Sequence, residues 1–143
     1  YPLTSLNFCR VWTNHYCNVG VEVTHHGVTE FTPHGIWCAY LLFSSEMHPE
    51  ILERRGRAEE IKSFGKPLLL ERHHPYWDQL HFHGGITFYT ERLDLHGTVL
   101  MKIGCDWAHI YDDDNRHLLS AQYIYGEMCE LVDAYQSLNR EPK

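Results

Sequence analysis

Hydrophobic positions fall into short runs separated by turn residues until about residue 119, where their spacing changes to three and four. Segments 3–8, 19–24 and 35–43 are rich in β-branched and aromatic residues. Asn14, Asn18, Gly20, Gly27, Pro33 and Gly35 punctuate them, which predicts a meander of short strands. Over residues 79–89, alternation puts Leu80, Phe82, Gly84, Ile86 and Phe88 on one face and His81, His83, Gly85, Thr87 and Tyr89 on the other. A strand with one core face and one polar face is predicted there. Asp94-Leu95-His96-Gly97 makes a turn, and residues 98–105 return with Val99, Met101, Ile103 and Cys105 inward. Ala121, Ile124, Met128, Leu131, Tyr135 and Leu138 then recur at helical spacing, predicting an amphipathic helix over about 119–138 that packs on the sheet.

Between these blocks, Pro49 followed by Glu50/Arg54 and Glu53/Arg57 pairs four apart predicts a short surface helix over 50–61, weakened by Gly56. Leu68-Leu69-Leu70 reads as a short strand or packing segment, and the polar, aromatic loop 72–78 as a pocket wall or a sheet cover. The expected fold is a single α+β domain over 1–143, mainly antiparallel sheet with a C-terminal helix packed on it and a short mid-chain helix.

Composition adds limits. With 143 residues, 43% hydrophobic and 22% charged, the chain suits one ordinary globular domain. A net charge of −7 argues against bulk nucleic-acid binding, which needs clustered Lys and Arg. The longest apolar run, residues 36–43, is far too short to span a membrane. No signal-like segment is visible, and the five cysteines are widely spaced without C-x-x-C, so a reducing cytoplasm is expected.

The chemistry concentrates at His83-Gly84-Gly85 and at Asp106-Trp107-Ala108-His109 with the following Asp112-Asp113-Asp114. Asp106 and His109 are one turn apart at a strand end, and His83 belongs to the neighbouring segment. Two imidazoles and a carboxylate converging there would form an open site for a divalent ion, zinc or Mg/Mn, with Asp112 or Asp113 as a further oxygen ligand. The same residues would also serve as a metal-free hydrogen-bond network. Part of the acidic run, Asp114 above all, would cap the last helix.

Trp37-Cys38-Ala39-Tyr40 with Glu46-Met47-His48-Pro49, His83-Gly84-Gly85-Ile86-Thr87-Phe88, Gly104-Cys105-Asp106-Trp107-Ala108-His109, and Tyr123-Ile124-Tyr125-Gly126-Glu127 with Leu131 occur in that order. In this the chain resembles a family of small uncharacterised proteins common in phages and prophages. That family reads C-G-Y…E-G-H-P, H-G-G-[LI]-T-[FY], G-F-D-x-A-H-x-G-D and Y-V-x-x-E-x-x-x-L-A. The likeness covers about residues 36–135. Cys105 stands where an aromatic is usual, Ala39 where a Gly is, and the acidic run where G-D is. The resemblance adds His48 and Glu127 to the site and implies the cytoplasm of an infected or lysogenic host cell.

Two functions are expected from these residues. One is a metal-dependent hydrolase of a nucleotide-type phosphoester with a counter-defence role. It would use His83, Asp106, His109, His48 and Asp113 as ligands, with Glu127 and Asp106 catalytic. The other is a non-enzymatic module, a sponge for a nucleotide signal or an inhibitor of a host defence protein, in which Gly84, Gly85, Thr87, Tyr76, Trp77 and Trp107 make a stacking pocket and Arg72 meets phosphate. A mimic of nucleic acid is a third and weaker fit to the charge.

Overall fold

The computed structural model describes residues 9–27, 35–108, 112 and 117–140. Strands β1 (Cys9–Tyr16), β2 (Val19–His26), β3 (Ile36–Ser44), β6 (Phe88–Leu93) and β7 (Val99–Asp106) form one antiparallel sheet in the order β1-β2-β3-β7-β6. β4 (Arg57–Ser63) and β5 (Lys66–Arg72) form a separate hairpin, and helix α1 (Ala121–Arg140) packs on one face of the large sheet. The α+β architecture is the expected one. No helix among the described residues is long and apolar enough to cross a membrane.

Alternation decides which sheet face is covered. Val19, Val21 and Val23 of β2, Ala39, Leu41 and Phe43 of β3, and Val99, Met101, Ile103 and Cys105 of β7 are buried, and the registers set Ala39 beside Cys105 and Leu41 beside Ile103. Ile124, Met128, Leu131, Val132 and Tyr135 of α1 close over them. The helix is capped by Ser120, whose Oγ accepts from the Tyr123 N–H at 3.1 Å. Asp114, expected to cap it, lies outside the described residues, as does segment 3–8.

Three elements differ from expectation for local reasons. The predicted helix over 50–61 is a 3₁₀ turn, Pro49–Glu53, followed by strand β4. Pro49 does start the turn, but the Glu/Arg spacing does not report helical pairs. Arg54 reaches Asn139 at 2.6 Å, and Arg57 pairs with Glu59 two residues on, a strand spacing. The hairpin turn Phe64-Gly65 has positive φ at both residues, 53° and 79°, the geometry that suits strand twist. β1 was missed because its residues are nearly all exposed, as an edge strand allows.

The third difference concerns the site. Residues 80–87 are not a strand: Leu80 N–H donates to Trp77, Phe82 N–H to Leu80 and Gly85 N–H to Phe82, so local turns take the bonds a ladder would need. Gly84 sits at φ 68° and Gly85 at 91°, conformations that favour glycine. Leu80 and Phe82 are buried as the alternation predicts, but the two glycines reset its phase. Beyond them Tyr89 faces the core, and Phe88 lies on the open side against Tyr40.

Candidate functional site

The Phe82–Gly85 turn delivers His83 onto Trp107, the first residue after β7. Their rings stack at 4.8 Å with planes 10° apart. His83 Nε2 lies 2.7 Å from Asp112 Oδ1, and Asp112 is one of two buried polar residues among those described. A carboxylate taken that far from water needs a partner, and the imidazole supplies one. The bond also fixes the ring's orientation and places a hydrogen on Nε2.

His83 and Trp107 line a cleft of about 270 Å³ together with His81, Glu127, Glu130 and the apolar Met128, Leu131 and Ala134. Helix periodicity explains the α1 side: Glu127, Glu130, Leu131 and Ala134 lie three, one and three residues apart, on one edge of the buried stripe. The Glu127 carboxylate, one turn from Tyr123, pushes that phenol's pKa up. Beneath the turn, burial pushes the Cys105 thiol up to about 12, so it is a packing residue and no nucleophile.

The expected site residues divide into three groups. His83, Trp107 and Glu127 meet in the cleft, with Asp112 behind His83. Trp107 is only 2% exposed, so its indole supports His83 instead of offering a free stacking face. Asp106 follows Cys105 on the strand and projects to the opposite side, where its Oδ1 accepts from the Ala108 N–H at 3.1 Å. Thr87 lines a different groove, of about 460 Å³, with Arg72 and Tyr89. Gly85 borders open space, so no neighbouring backbone presses on it, and φ alone explains the residue.

Trp77 belongs to the core, Tyr76 packs against it, and the His48 ring meets Phe43 and Tyr135 at its edge. Trp77 is fully buried, stacks on Tyr135 with centroids 5.7 Å apart and donates from Nε1 to the Arg54 carbonyl. The stacking role expected of it fails because Phe43 and Tyr135 occupy its surroundings. Tyr76 lies under the Arg54 guanidinium at 3.8 Å. His48 Nε2 bonds the Asn18 carbonyl at 2.9 Å and Nδ1 faces Glu50 at 3.3 Å, so both nitrogens are engaged away from the cleft.

The expected ligand set for a divalent ion therefore does not assemble among the described residues. His48 and Asp106 stand apart from His83, and among the described residues no three His, Cys, Asp or Glu side chains are close enough together to hold one metal ion. His109 and Asp113 lie outside the described residues. His81 and Glu130 join the cleft without having been named from the sequence. The signals were present, since His81 shares the alternation of His83 and Glu130 is one turn from Glu127. Comparison with family models, curated proteins and solved structures finds no match.

Proposed function

We propose that the Trp107 cleft is the working site of a small hydrolase in which His83 moves the proton and a nucleotide-type phosphoester is the substrate. The observation that carries this reading is the 2.7 Å bond from His83 to the buried Asp112 at the wall of the cleft. The carboxylate orients the imidazole and stabilises the imidazolium that forms when the ring takes a proton from attacking water. Glu127, lining the same cleft, orients that water; the oxygen–phosphorus bond to the leaving group breaks as the new one forms, and the proton held by His83 passes to the departing oxygen. Glu127 and Glu130 make the cleft acidic, so a phosphoester enters with its counter-ion, as the complex of the nucleotide with a divalent cation. A counter-defence role in the host cytoplasm is part of this proposal.

The test is hydrolysis of a panel of nucleotide phosphoesters with and without Mg, Mn or Zn. His83→Gln is expected to lower kcat at least 100-fold, the usual contribution of a general base, and Asp112→Asn about tenfold. Full activity in His83→Gln would overturn the assignment.

A second reading is a non-enzymatic module, a sponge for a nucleotide signal or an inhibitor that docks on a host defence protein, the docking drawing on the β4–β5 hairpin. Leu68 and Leu69 are 46% and 71% exposed there and Phe64 at its tip is fully exposed. Recovery of an unchanged nucleotide after denaturing the protein, with no turnover, would favour binding over hydrolysis.

A further inference from the structure

The sheet face turned away from α1 holds a groove of about 880 Å³, separate from the Trp107 cleft and within the size range of small-molecule sites. The registers lay out its floor. Arg92 sits beside Leu100, and in the next row Lys102 lies beside Leu42. Leu42 and Phe88 are 38% and 40% exposed, and Met47 stands at the rim, so an apolar strip runs between the charges.

The two cations differ in their partners. Lys102 Nζ is 2.8 Å from Glu22 and 4.4 Å from the Tyr40 ring, which matches its charge locally. The Arg92 side chain makes no hydrogen bond or ion pair within the described residues, and its guanidinium stands at the end of the apolar strip. In a chain of net charge −7 this face is a local exception that attracts an anion. A second copy seated here would bring together two faces of the same positive sign, so charge argues for a small anion in place of self-association.

We propose that this groove is a second ligand site that takes an anionic amphiphile, its apolar body over Leu42, Leu100 and Met47 and its carboxylate on the Arg92 guanidinium. The planar guanidinium meets a carboxylate through two parallel hydrogen bonds, which gives the head group its selectivity, and the apolar strip sets the chain-length dependence.

The experiment titrates the whole chain with sodium decanoate below its micelle concentration, by calorimetry and by amide NMR. Saturable binding is expected, with shifts centred on β6 and β7, and each added methylene from octanoate upward tightens binding roughly fourfold. Arg92→Gln, at an exposed position that does not threaten folding, is expected to weaken decanoate about tenfold and decanol less than twofold. Equal affinity for decyltrimethylammonium, an unchanged affinity in Arg92→Gln, or shifts centred on Trp107 would each overturn the proposal. So would a dimer in sedimentation that Leu42→Glu dissociates, which would give this face to a second copy.

Discussion

The chain uses the same three side-chain types twice, a tryptophan, a histidine and a carboxylate, and the two clusters differ in what is left over. Around Trp77, the His48 ring has both nitrogens engaged, Glu50 accepts from Tyr135 at 2.6 Å, and aromatic rings fill the space between. Around Trp107, the pair His83–Asp112 stands at the wall of a cleft that also holds Glu127 and Glu130. The first cluster holds α1 and the Pro49–Glu53 turn to the sheet; the second presents an oriented imidazole to a space a ligand can enter. Residue types do not distinguish them, and the surrounding packing does.

The largest effect that can break this comparison is Trp77→Ala. The side chain is fully buried and its indole N–H satisfies the Arg54 carbonyl, so its removal opens a cavity and orphans an acceptor. A loss of about 3–5 kcal/mol is expected in urea denaturation. A loss below about 1 kcal/mol would show that this cluster is no anchor.

Tyr135→Phe is a smaller test of the same cluster. Burial pushes the Glu50 carboxyl up, but the Tyr135 hydroxyl, the backbone N–H and His48 together hold it below its usual range. A depressed carboxylate contributes stability that is present above its unfolded value and lost as pH falls through the folded one. Without the Tyr135 hydroxyl the Glu50 carboxyl rises, so acid unfolding is expected to begin at higher pH, with about 1 kcal/mol lost at neutral pH. An unchanged melting temperature from neutral pH through the carboxylate range would show that the hydroxyl contributes nothing.

Much of this was legible in the sequence, and the failures have physical causes. β2, β3, β7 and α1 bury one face each, so their periods of two and of three to four survive in the residue order. β1 and β4 bury almost nothing, and the Glu/Arg spacing across β4 imitates helical pairs. At Gly84-Gly85 alternation marked Leu80 and Phe82 as buried, but period alone does not reveal that positive φ ends the extended path and sends Thr87 into another groove. For the site, His83 and Glu127 were named and do share a cleft. Asp106 joins His83 on the expectation that their two segments pair as neighbouring strands, whereas alternation after Cys105 turns it to the other face. His48 reads like a ligand until the Asn18 carbonyl and Glu50 are seen to occupy it.

The most direct comparison is the stability of His48→Gln against that of His83→Gln, where the smallest loss is expected. The His48 ring is 12% exposed and bonds on both nitrogens, so a glutamine cannot replace both contacts, and about 1–2 kcal/mol is expected to be lost. The His83 ring is 29% exposed, and a glutamine amide can still donate to Asp112, so the buried carboxylate keeps a partner. Less than about 1 kcal/mol is expected there, although the proton-accepting atom is gone. Thermal unfolding of both variants measures the difference. If His83→Gln is the more destabilised of the two, the Trp107 cluster is itself an anchor, and the contrast between a filled cluster and an open one does not hold.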